Sequence, residues 1–126
     1  MEKTMKQLFI ILSLMFVSMT AVAQSDYYMR RAQSYQREAE YYTKRAQNYD
    51  RESDYYNRQA QSHLREAEYY TRRKDYDRAK SYQRRAREAT DKSEWNKKNA
   101  DNARDKARQY MRWAEDALDK AKREKR

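Results

Sequence analysis

Large and small residues alternate at three- and four-residue intervals through the first half of the chain. The series reads Tyr28, Ala32, Tyr35, Ala39, Tyr42, Ala46, Tyr49, Ser53, Tyr56, Ala60, His63, Ala67, Tyr70. A strand would alternate every second residue, so this spacing lines one face of an α-helix. The stripe is carried by one fourteen-residue phrase said three times over 26–67: DYYMRRAQSYQREA, EYYTKRAQNYDRES, DYYNRQAQSHLREA. Fourteen residues are two heptads, with large residues at the d positions and small ones at a.

A second stripe of the same spacing runs through Ala79, Tyr82, Ala86, Ala89, Ser93, Asn96, Ala100, Ala103, Ala107, Tyr110, Ala114, Ala117 and Ala121. Its register is displaced from the first by two residues, which is not one of the usual heptad interruptions. The chain therefore breaks near RRKD, 72–75. Folding it there pairs residues whose numbers add to 149, setting Ala67 on Tyr82, Tyr56 on Ser93, Ala39 on Tyr110 and Tyr28 on Ala121. In that scheme every large residue faces a small one and no two large ones meet. The expected fold is all-α: a long antiparallel helical hairpin, an Ala/Tyr coiled coil, with helices over 26–73 and 76–124 and a turn near 72–76. The competing architecture is one helix of about 100 residues, at 1.5 Å per residue, paired with a second copy as a swapped dimer. No glycine is available to end the first helix, although helices favour one there. The rings of so narrow a seam bury little, which makes self-association into a larger bundle an expectation too.

The segment YYTRRKDYDRAKSYQRRA, 69–86, resembles the middle of a tetratricopeptide repeat. Tyr70, Asp75, Tyr76, Ala79 and Ala86 match that family's tyrosine, corner and small-residue positions. Lys74 stands where the family usually has glycine, and His63 at its early aromatic position. The likeness covers 63–86 once, without the 34-residue recurrence of the family, and implies a helix–turn–helix corner. At the level of fold alone, the chain is also similar to periplasmic holdase chaperones with basic antiparallel helical arms.

The first residues follow a different pattern. Lys3 and Lys6 precede the apolar run LFIILSLMFV, and AVA at 21–23 supplies small residues for cleavage. Residues 1–23 are expected to be a secretory signal peptide cleaved after Ala23, leaving 24–126 as a single hairpin domain without a transmembrane segment. The location implied is secreted or periplasmic. No cysteine follows, so an oxidising compartment adds no disulfide. Beyond residue 23 the chain carries 28 basic and 19 acidic side chains, and most of the excess lies in 74–126, with eighteen basic and eleven acidic. Such a balance favours an anionic partner.

Catalytic patterns are missing. There is no cysteine nucleophile, no glycine for a phosphate loop or nucleophile elbow, and one histidine, His63, in a seam slot otherwise given to tyrosine. Carboxylates alternate with arginines, the pattern of solvated ion-pair faces. No enzyme activity, cofactor or metal is expected. The flanks of the seam carry more information. The first tyrosine of each pair, Tyr27, Tyr41, Tyr55 and Tyr69, lies at position c; Trp95 takes c and Trp113 g on the returning helix. These six rings, with Arg31, Arg45, Arg73, Arg85, Lys92 and Lys106, form the candidate binding face, combining stacking surfaces with cations. The function expected is that of an exported, non-enzymatic basic helical protein engaging an anionic polymer or a polypeptide in the envelope or outside the cell. Alternatives are a self-assembling coiled-coil spacer and a Lys/Arg-rich ligand of a trypsin-like protease.

Overall fold

With neither glycine nor proline in the sequence, nothing interrupts helix formation except local chemistry at the ends. The computed structural model describes residues 23–124 and consists of two helices, α1 (Ala23–Arg72) and α2 (Tyr76–Glu124), folded into a hairpin. Apart from its last residue, the expected signal peptide lies outside the described residues. Each helix carries an acid in its first turn, Asp26 or Asp77, and bases in its last, Arg72 or Lys122 and Arg123. Both placements oppose the partial charges of the helix ends. The ion pairs Lys44–Glu40, Arg72–Glu68 and Arg108–Asp105 are exposed and local to one helix, so they support helicity without joining the helices.

The break falls where the register shift placed it. Lys74 adopts a left-handed conformation, φ 63°, in the position glycine usually fills. The Lys74 amide donates to the Thr71 carbonyl (3.0 Å) and the Asp75 amide to that of Tyr70 (2.9 Å). This is the paired pattern of a Schellman cap, and it satisfies carbonyls the helix leaves open. Asp75 then caps α2, its Oδ1 accepting from the Arg78 amide at 3.4 Å. The corner is made by hydrogen bonds that tolerate a non-glycine residue at a steric cost. Lys74→Gly is expected to raise stability by about 1 kcal/mol and Lys74→Val to lower it, with helicity unchanged. Thermal unfolding followed by circular dichroism measures both.

The contacts of the hairpin divide it into two compact units, one of 23–44 with 103–124 and one of Arg45–Asn102. In the first, Ala32, Ala39 and Ala107 are fully buried and join Met111, Ala117 and Leu118, with Tyr35, Tyr42 and Tyr110 packed around them. In the second, Ala46, Ala60, Ala67, Ala79, Ala86 and Ala100 are at most 4% exposed. Toward the open end of this unit Ser53 faces Ser93, the hydroxyls 3.0 Å apart and each 2.9 Å from the other's backbone carbonyl. Only small side chains permit that approach.

The axial level of the pairing agrees with the expectation. Tyr82 lies between His63 (6.0 Å between centroids) and Tyr70 (5.6 Å), at the height of Ala67; Tyr110 lies between Tyr35 and Tyr42, at the height of Ala39. The rule that no two large residues meet is corrected. Tyr42 stacks on Tyr110 at 5.7 Å and 8°, Tyr70 on Tyr82 at 5.6 Å and 9°, and Ser93 pairs with Ser53 rather than with Tyr56. A knob inserts between two facing residues one heptad apart instead of landing on one, so a tyrosine touches whatever rings bracket it. The alanines set the close approach, and the seam rings are left half-buried at its border.

Candidate binding grooves

Each tyrosine doublet repeats one local arrangement. The second ring of the pair borders the seam and the first stands outward, exposed, edge-on to it. Centroid separations are 5.1–5.2 Å and interplanar angles 74–77° in Tyr27–Tyr28, Tyr41–Tyr42, Tyr55–Tyr56 and Tyr69–Tyr70. Helical geometry brings residues four apart together, and the arginine four positions beyond the first tyrosine uses this. Arg31 donates to the hydroxyls of Tyr27 (3.0 Å) and Tyr35 (2.6 Å) and lies over both rings. Its guanidinium is thereby held still more firmly protonated than usual, chiefly by the Tyr35 and Tyr27 hydroxyls. Arg45 donates to Tyr49 at 3.0 Å, and Arg73 to Tyr69. In the third phrase the pair is exchanged as a set, Gln59 and His63 replacing arginine and tyrosine.

The other helix answers with its own fourteen-residue spacing. Lys120 lies over the ring of Tyr28 (5.9 Å) and Lys106 over Tyr42 (5.3 Å) in the first unit; Lys92 lies over Tyr56 (5.4 Å) and Arg78 over Tyr70 (5.5 Å) in the second. Every seam-side ring of a doublet thus receives a cation from α2. Each contact is worth about 0.5–1 kcal/mol at such exposure. Of the cations expected on the binding face, Lys92 and Lys106 are these, and Arg85 lies over Tyr82 at 5.1 Å.

The two tryptophans sit on seam tyrosines. Trp113 is 5.6 Å from Tyr35 and 5.2 Å from Tyr110; Trp95 meets Tyr49 edge-on at 6.2 Å. The described contacts of Tyr27, Tyr55 and Tyr69 run instead to their doublet partners and to arginines. Each tryptophan walls an open groove in its own unit. In the first, a groove of about 240 Å³ is lined by Tyr28, Arg31, Tyr35, Trp113, Asp116, Ala117 and Lys120. In the second, one of about 400 Å³ is lined by Arg45, Asn48, Tyr49, Glu52, Tyr56, Trp95 and Asn96.

No protein-family model, curated protein or solved structure matches the chain.

The site must therefore be read from its own chemistry. Both grooves hold two α1 tyrosines seven residues apart, a tryptophan from α2, an arginine fixed on a tyrosine hydroxyl, and one carboxylate. Sequence reasoning singled out Arg31, Arg45, Trp95 and Trp113 but missed Tyr28, Tyr35, Tyr49, Tyr56, Asp116 and Lys120. A search for cations at the doublet's own fourteen-residue period would have found Lys120 and Arg78. Among the described residues no cluster of histidines and acids has the makings of a metal site, and no helix is long and apolar enough to cross a membrane.

Proposed function

We propose that the chain is an exported, non-enzymatic binding protein, a basic helical hairpin that engages an anionic partner in the cell envelope or outside the cell. The observation that carries this reading is the recurrence of positioned cations beside open rings: Arg31 on Tyr27 and Tyr35, Lys120 on Tyr28, Arg45 on Tyr49, Lys92 on Tyr56. Cations held over rings keep their charge while losing mobility, so they meet an anion with less entropy left to lose. Ring faces exposed next to them add contact area that a purely electrostatic surface lacks. The charge excess in 74–126 supplies the long-range attraction.

Two sets of substitutions separate the contributions. Alanine at Trp95 and Trp113 is expected to weaken binding of an anionic polymer while leaving its salt dependence nearly unchanged, because no charge is lost. Glutamine at Arg85, Lys92 and Lys106 is expected to flatten the salt dependence, because fewer counterions are released. Titrations at several salt concentrations, with helicity checked by circular dichroism, measure both. A second reading, a self-assembling spacer, is favoured by the number of rings standing exposed, Tyr55, Tyr76 and Trp95 among them. It replaces the first if the tryptophan variants dissociate to monomers with no change in affinity for any polyanion.

A further inference from the structure

We infer that each groove is a subsite for an acidic sugar, so that the anionic partner is a uronate-bearing polysaccharide; this deepens, and rests on, the reading of the chain as an anion binder. A pyranose ring has two kinds of surface. Its axial C–H bonds form an apolar face with partial positive charge, which complements the negative face of an aromatic ring. Its hydroxyls both donate and accept hydrogen bonds, and they are matched by planar polar groups that do the same in pairs. Both grooves offer that combination. Trp113 is 41% exposed and Trp95 62%, each with an outer surface open beside it. Around Trp95 stand the planar groups of Arg45, Asn48 and Glu52, and around Trp113 those of Arg31 and Asp116.

The cations select an acidic sugar over a neutral one. Arg31 spends one N–H on each of two tyrosine hydroxyls, which fixes the plane of its guanidinium and leaves further N–H groups for a carboxylate. Lys120, held over Tyr28, lines the same groove. The carboxylates select against the other obvious polyanion. Both polyanions carry charge that Asp116 or Glu52 repels, but a DNA backbone offers these carboxylates only acceptors, whereas each uronate also brings hydroxyls that donate to them.

The full chain is titrated with oligogalacturonate, with its uncharged oligogalactose counterpart, and with oligothymidylate, by calorimetry and tryptophan fluorescence. Oligogalacturonate is expected to quench the tryptophans and to bind at least about tenfold more tightly than the neutral sugar. Trp95→Ala, which removes a largely exposed ring, is expected to reduce that affinity about tenfold, and Asp116→Asn severalfold. Trp113→Phe, which keeps a ring against Tyr35, should reduce it less than Trp95→Ala. Should oligothymidylate bind more tightly than oligogalacturonate, and tighter still after Asp116→Asn, the sugar inference is overturned while anion binding stands. Binding of neither anion overturns both. Equal binding of the charged and neutral sugars overturns the assignment of Arg31 and Lys120.

Discussion

Replacing Ser53 and Ser93 with cysteine is expected to close a disulfide within one chain and to raise the melting temperature by about 10–20 °C. The hydroxyls lie 3.0 Å apart across the hairpin, and the surrounding alanines keep the backbones close enough for bridging geometry. Joining residues 40 positions apart restricts the unfolded chain by about 4 kcal/mol in the loop-entropy account. The serine hydrogen bonds lost in the exchange take back about 1–2 kcal/mol. Net stabilisation of about 2–3 kcal/mol corresponds to that temperature shift in a domain of this length. Non-reducing electrophoresis distinguishes the outcomes. A bridge that forms only between chains would mean that α2 is exchanged between copies, and absence of any bridge under mild oxidation would refute the Ser53–Ser93 pairing.

Ala39→Tyr is expected to lower stability by about 1–3 kcal/mol, a fall of up to ~20 °C in melting temperature. Ala39 is fully buried beside Ala107, and Tyr110 already fills the space between Tyr35 and Tyr42 at that height. A ring there has no pocket to enter and must push the helices apart. Ser34→Tyr, on the exposed side of the same helix, should stay within about 0.5 kcal/mol of the native chain. Equal melting temperatures for the two variants would place Ala39 outside the seam. The large-on-small pairing read from the sequence, with Ala39 facing Tyr110, would give a different reason, a new ring-on-ring clash. The native structure already stacks rings at this level, so the destabilisation comes from the loss of the small residue that permits close approach.

That difference marks how far the sequence could be read. The stripes of Tyr28 to Tyr70 and Ala79 to Ala121 were legible because burial on one helical face imposes a heptad period, and the two-residue shift between them was legible as a turn. Met111 and Leu118 were not. They lie one step outside the strict seam, and only the packing of the first unit shows that this step is also buried, at 3% and 1% exposure. The candidate cations were legible as types and positions but not as partners. Lysines and arginines are commonplace on the flank of a coiled coil, so the fourteen-residue spacing of Arg78, Lys92, Lys106 and Lys120 does not say which ring each covers until the facing tyrosines are known.

Helix content, the location of the corner and the axial level of the pairing follow from local propensity and from a pattern that repeats along a single strand of sequence. They are properties of neighbours in the chain, and neighbours are visible without a fold. Which ring stacks on which, and which arginine, tryptophan and carboxylate share a groove, depend on distances between the two helices. Those distances are set by how closely the alanines and serines let the backbones approach. Only the folded pair fixes that approach, and the chemistry of both grooves rests on it.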